Sequence, residues 1–215
     1  MAIYGGPDIV TDGLVLHWDI ANPKSYVNGA SFIYDLSGNN NTGTVTNSTI
    51  TYSSNFGGVV QFNATSSSRI SIASNNFDKR VGTYTVIAAS RYFGDTRQRM
   101  ITSFNNWLLG HWAGGATNYW CEGSIRLISN NPNDINWRIY AGTGDSINDI
   151  WNFYINGSFL VGNNGGSQGP FGLQIGGLGS ENSNGQFSFL QFYNRVLSAT
   201  EIQQNYNALK GRFGL

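Results

Sequence analysis

Short apolar or alternating runs, separated by clusters of Gly, Asn and Ser, occupy most of the chain. Leu14-Val15-Leu16-His17-Trp18 is a compact apolar run suited to a buried strand. Gly58-Val59-Val60-Gln61-Phe62 follows, and Arg69-Ile70-Ser71-Ile72 alternates polar with apolar as a half-buried strand does. Thr83-Tyr84-Thr85-Val86-Ile87-Ala88, behind Gly82 and rich in β-branched residues, is the strongest strand signal. Alternation returns at Ile135–Tyr140, at Phe187-Ser188-Phe189 and in the residues leading to Tyr193. Phe153–Leu160 reads as a hairpin, because Asn156-Gly157 supplies the positive φ angles of a tight two-residue turn. Many short strands with regular turn signals predict an all-β sandwich or barrel, with Trp18, Val86, Ile87, Trp137, Phe189 and Phe192 in its interior.

One helix breaks this pattern, after the last strand. Ser198 is placed to cap it while Glu201, three residues on, reaches back to complete a capping box. Ile202, Tyr206 and Leu209 fall at i, i+4 and i+7 on one face, and Gly211 suits the stop. The Gly/Asn segment 162–169 reads as a loop inside a domain, since strands continue on both sides. With no internal repeat, charge block or linker, residues 1–215 are expected to form one domain, with 211–215 as a C-terminal tail.

Composition narrows the function classes. Charged residues are 11% of the chain, against an ordinary ~25%, and Lys+Arg balance Asp+Glu at 12 each. That argues against nucleic acid as a main partner, since neutralising phosphates requires clustered, surplus cations. The 14% aromatic content equally separates the chain from disordered charged tails. The single Cys121 cannot form an intrachain disulfide and, within Asn118-Tyr119-Trp120-Cys121, reads as a buried thiol. The opening MAIYGGPDIVTDG has neither the basic region nor the apolar stretch of a secretory signal, and no apolar run approaches the ~18 residues of a membrane span. A soluble protein without a membrane partner is expected.

Three landmarks, in order along the chain, carry a resemblance. Gly13-Leu14-Val15-Leu16-His17-Trp18-Asp19 leads to Tyr34-Asp35-Leu36-Ser37-Gly38 and on to Gly43, a D-x-S-G-x-x-x-x-G turn. Phe153-Tyr154-Ile155-Asn156-Gly157 is a strand ending in an Asn-Gly turn, and Phe189–Ile202 holds a closing strand, a Y-N-R-x-L-S turn and a short helix. The set resembles concanavalin A-like, laminin-G-like jelly-roll domains, and its last part resembles those of tailed-bacteriophage structural proteins. The resemblance implies an all-β fold: a two-sheet antiparallel jelly-roll sandwich with one short C-terminal helix. It further implies a virion surface protein, assembled in the host cytoplasm, acting as a capsid or tail decoration or a fibre component. Its partners would be other virion proteins and host-surface glycans, with self-association as a further option. A chain read as this domain alone is expected to be a stand-alone virion surface protein rather than a fragment of a large adhesin. The physical roles of the landmarks are scaffold roles: Asp35 and Ser37 accept backbone N–H groups, while Gly38 and Gly43 permit positive φ.

The fold also hosts glucanases, which need two carboxyl groups about 5–5.5 Å or about 6.5–9.5 Å apart. The chain has three Glu, namely Glu122, Glu181 and Glu201, in no strand-borne pair. His17 and His111 are its two imidazoles, and no nucleophile elbow, phosphate loop or paired Cys/His metal motif is present. A non-enzymatic protein is expected, working by binding, with a lectin-like glycan module as the alternative to a virion component. No cofactor is required by the sequence; calcium is the cofactor the resemblance implies, with Asp134, Asp145 and Asp149 as its candidate ligands.

The candidate binding residues come from the densest aromatic stretch, Trp107, His111, Trp112, Tyr119 and Trp120. Aromatic faces stack on sugar rings and Trp and Tyr anchor protein interfaces, yet the same rings also fill the space between two sheets. Arg91, Arg97 and Arg99 form a small cationic segment read as a solvated loop or protein contact. Phe213 and Leu215 are apolar residues at the chain end, read as a partner-binding tail or as packing under the helix.

Overall fold

A computed structural model describes residues 7–46, 49–94, 96–112, 116–121, 124–129, 135–165 and 168–215. The first strands are β1 (Leu14–Asp19), β2 (Phe32–Ile33), β3 (Gly43–Thr46), β4 (Thr51–Ser53), β5 (Val59–Phe62) and β6 (Arg69–Ile72). Next come β7 (Thr83–Tyr92), β8 (Ile101–Thr102), β9 (Leu108–Trp112), β10 (Ala116–Cys121), β11 (Ser124–Ser129) and β12 (Arg138–Asp145). The chain continues through β13 (Ile150–Ile155), β14 (Ser158–Asn164), β15 (Leu173–Ile175), β16 (Gly177–Leu178), β17 (Glu181–Asn182) and β18 (Gly185–Tyr193). A helix, α1 (Ala199–Leu209), and a 3-10 turn, Lys210–Phe213, close it.

The strands pair antiparallel in two large sheets and one small separate ribbon, β16–β17. The first runs β14-β13-β12-β7-β18-β5-β4, with β1 also paired to β18, and the second runs β11-β10-β9-β8-β15-β6-β3-β2. Between them lies one core, in which Val86, Phe192 and Trp18 of the first sheet meet Ile70, Ile101 and Leu173 of the second. The architecture is the two-sheet sandwich expected, and all six residues assigned to its interior are buried.

The first sheet is buried on both faces. Along β7, Tyr84, Val86, Ala88 and Tyr92 join the inner core while Ile87 and Ala89 face a second cluster outside the sheet. Neighbouring β18 makes the same division with a shift in phase: Phe187, Leu190 and Phe192 point inward, but Phe189 and Tyr193 point outward. A register shift between Phe187 and Phe189 accounts for this, since one extra residue reverses the alternation downstream.

The helix and the 3-10 turn cover that outer face. Ser198 and Glu201 form the capping box, with Ser198 N donating to the Glu201 carboxylate at 2.8 Å. Arg195 grips the same carboxylate through both terminal nitrogens, at 2.6 and 3.1 Å. Ile202 is buried, and Asn205 beside it ties three parts of the chain together. Its Oδ1 accepts Val10 N at 2.7 Å, and its amide donates to the Tyr193 hydroxyl at 2.9 Å.

Several expectations change here. The α-helix ends at Leu209 with Lys210 as its C-cap, just before Gly211 as expected, but the chain then tightens into the 3-10 turn and reverses only at Gly214, φ +69°. That path carries Phe213 onto Trp137, 4.7 Å between ring centres, leaving it 7% exposed. Its ring is therefore internal packing and is not presented to a partner; Leu215 packs partly buried against the same cluster. Gly43 does not adopt positive φ; a Cβ there would lie 2.6 Å from the Trp18 ring and 2.8 Å from Ile33. It is a space-making residue, whereas Gly38 does take φ +88°. The segment 135–140 enters its strand only at Arg138, and β14 extends through Asn164 into the segment read as a loop.

Candidate functional site

The aromatic stretch divides between core and surface. Trp107 is fully buried, and its indole N–H donates to the Tyr84 hydroxyl at 3.2 Å. It is a core residue and drops out of the binding candidates. Strand β9 then pairs with β10, setting Leu108 opposite Trp120, Leu109 opposite Tyr119 and His111 opposite Thr117. The side chains of His111, Tyr119 and Trp120 lie outside the described residues, as does Asp134.

Trp112, at the end of β9, is half-buried. Its indole N–H points to Glu181 Oε1 at 3.5 Å, a long contact, and the Arg99 guanidinium lies 5.8 Å from the ring centre. Arg99 is 7% exposed and pairs with the Glu181 carboxylate. It also donates to Thr102 Oγ1 at 3.3 Å and to the Asn106 carbonyl at 3.4 Å. A guanidinium this enclosed requires an anion, and Glu181 is it.

Glu181 is delivered by the small β16–β17 hairpin. Arg69 of β6 clamps that hairpin, donating to the Gly177 carbonyl at 3.0 Å and to the Gly179 carbonyl and Asn182 Oδ1, both at 2.6 Å. The result is a rigid polar group with one indole at its margin: a carboxylate held by a buried cation, with Glu181 still 37% exposed. Such a group can accept hydroxyl hydrogens on Glu181 while Trp112 offers an apolar ring face.

Arg91, Arg97 and Arg99 do not form one cationic loop. Arg99 is inside with Glu181, Arg97 turns back to the Gly94 carbonyl at 2.9 Å, and Arg91 lies against aromatic rings of the first sheet's outer face. Alternation along β7 hid this division, because Arg99 lies beyond the strand and its partner is 82 residues away.

The calcium candidates are otherwise occupied or scattered. Asp145 accepts the backbone N–H groups of Ile147 and Asn148, each at 3.0 Å, and the Asn148 amide at 2.6 Å. The Asn148 contacts hold its carboxyl below the usual range. It is the acceptor of an Asx turn, while Asp149 takes φ +56° at the turn's end. Among the described residues, no three His, Cys, Asp or Glu side chains come together as a metal site would require.

No family model matches the chain, and no curated protein sequence matches it. Solved structures do. The binding domain of Paraclostridial Mosquitocidal Protein 1 is similar over 92% of this chain and 52% of its own, with TM-score 0.69 and 16% identity. Domain 4 of AbnA, a GH43 extracellular arabinanase from Geobacillus stearothermophilus, in complex with arabinotriose, is similar over 90% of this chain and 98% of its own, with TM-score 0.63 and 17% identity. Trypanosoma rangeli sialidase matches 93% of this chain with 33% of its own, at TM-score 0.64 and 13% identity. The chain thus spans about half of the first and a third of the last. At these identities the likeness is one of fold, and the fold is an antiparallel β-sandwich.

Proposed function

We propose that the chain is a non-catalytic binding module that takes a glycan at the β9 end of the second sheet, beside Trp112 and Glu181. The observation that carries this reading is the half-buried Trp112 indole beside a carboxylate whose charge a buried arginine already balances. A glycan is served by that combination, a ring face for its C–H groups and a fixed acceptor for its hydroxyls. In support, the arabinanase domain was solved with arabinotriose, and the mosquitocidal relative is a binding domain. Glu201 is consumed by the helix cap and Arg195, and Glu181 by Arg99, which leaves neither as a general acid.

The laminin-G-like landmarks of the tailed-phage type support a placement of this module on a virion surface, and we carry that placement as part of the proposal. The three structural relatives contribute nothing to it. A glycan array probed with the purified protein and with Trp112→Ala tests the binding reading. A signal lost in the variant, with the thermal melt unchanged, supports it. Equal signals from the two proteins, or sugar release from a polysaccharide panel, would overturn it.

A further inference from the structure

A second site lies on the other sheet, around Arg91. A cleft of about 310 Å³ opens there, lined by Arg91, Tyr92, Phe93, Gly94 and Ile135. The Arg91 guanidinium forms one wall and packs against three rings, with Cζ 5.1 Å from the centre of Phe56, 5.3 Å from Trp137 and 5.6 Å from Phe93. Its Nε donates to Gln186 Oε1 at 2.8 Å, and Gln186 in turn donates to Gln61 Oε1 at 3.0 Å. This side-by-side ladder on β7, β18 and β5 fixes the guanidinium plane.

What the arginine lacks, among the described residues, is an anion. Arg80, Arg99, Arg195 and Arg212 each have a carboxylate partner, Arg69 donates to three oxygens of one hairpin, and Arg97 folds back on the Gly94 carbonyl. Arg91 has no carboxylate partner and no acceptor for either Nη among the described residues. Burial holds its pKa below the usual guanidinium value. Aromatic faces stabilise a cation, but they leave its outward N–H fork unfilled. The rim of the cleft is apolar and open: Phe93 is 48% exposed and Ile135 50%.

We infer that this cleft binds a carboxylate-bearing sugar unit, a hexuronate of an acidic glycan, with its carboxylate on the Arg91 fork and its C–H face on Phe93 and Ile135. A planar carboxylate matches the paired Nη groups of a guanidinium bidentately. The cleft sits at the small end of ligand-sized pockets, which suits one ring. An acidic peptide run would call for several cations, whereas one faces this cleft among its described lining residues. Gly94, at φ +131° and against Asn184, keeps the Phe93 loop close to the sheet. The site stands apart from Trp112, and neither requires the other.

Calorimetric titration with glucuronate and galacturonate, set against glucose, galactose, acetate and a glutamate-rich peptide, tests the inference. The hexuronates are expected to bind at least tenfold more tightly than every control. Arg91→Gln should weaken them at least tenfold, Arg91→Lys by less, and Trp112→Ala not at all, which separates this site from the one proposed above. Phe93→Ala changes an exposed ring and should weaken hexuronate binding severalfold even where the arginine variants fold poorly. Absence of hexuronate binding, binding unmoved by Arg91→Gln and Phe93→Ala, or peptide or acetate binding as tight as the hexuronates would each overturn it.

Discussion

Trp112 and Trp107 lie in one aromatic stretch, yet one is half-buried at a polar group and the other fully buried. Residue types alone do not separate them, because a ring suited to a sugar is equally suited to a core. Gly110, at φ +93° between them, breaks the alternation by which a strand's faces are read. The partner that marks Trp112, Glu181, is 69 residues distant and arrives only through the fold. Two substitutions probe this scale. Glu181→Gln should destabilise the protein by about 1–3 kcal/mol, since it strands the enclosed Arg99 charge while leaving a partly exposed site to water. Urea denaturation measures it; a change below about 0.5 kcal/mol would mean that Arg99 finds another acceptor. Gly43→Ala should cost about 1–3 kcal/mol by overpacking Trp18 and Ile33, although nothing in its backbone angle forbids alanine.

Among the elements, the hairpin at Asn156-Gly157 and the capped helix were the most legible, because each is specified by contiguous residues. The Asn-Gly pair takes φ of +50° and +77°, and the capping box forms as the Ser198/Glu201 spacing implies. Short strands such as β8, β15 and β16, at two or three residues, carry no periodicity to read. The end of the helix at Gly211 is legible too, but the 3-10 turn that follows and packs Phe213 on Trp137 is not. Phe213→Ala should therefore lower stability by about 3 kcal/mol, as for other buried phenylalanines, with the helix still present by circular dichroism. An unchanged midpoint would return the tail to a surface role. Acid should act in two steps. Burial keeps the His17 imidazole below its ordinary value, against Asp19 and Asp35, so the unfolded chain takes up that proton first and stability falls as pH drops below about 6.5. Arg195 holds Glu201 down to about 2, so its contribution is intact above about pH 4.3 and lost between there and about pH 2. In thermal melts across pH, His17→Gln should erase the upper step and Glu201→Gln should shrink the lower, to which Asp78 and Asp145, also held below the usual range by hydrogen bonds, add; an upper step surviving His17→Gln, or a lower step unmoved by Glu201→Gln, would contradict the assignment.

At the scale of the molecule, β18 sits between β7 and β5 and also takes β1, so the two ends of the chain share the centre of one sheet. The all-β class was readable from strand and turn signals, but this pairing order was not, since nothing local in Phe187–Phe192 names its neighbours. It is the pairing order that leaves the two sheets with different outer faces. One is covered by α1 and the 3-10 turn, and beyond them Arg91 has no carboxylate partner among the described residues. The second sheet carries Trp112 at the end of β9, beside the Glu181 hairpin. With Lys+Arg and Asp+Glu equal at 12, attraction by net charge is absent, and recognition rests on ring faces and fixed hydrogen-bond partners. The six tryptophan side chains give a direct view of where a glycan lands. In a ¹H–¹⁵N spectrum each indole N–H is a separate reporter, to be followed as the best glycan from an array is added. The account predicts that the Trp112 indole shifts on titration while those of Trp18, Trp107 and Trp151, enclosed in the core, stay in place. A Trp112 resonance that does not move at saturating glycan would contradict it.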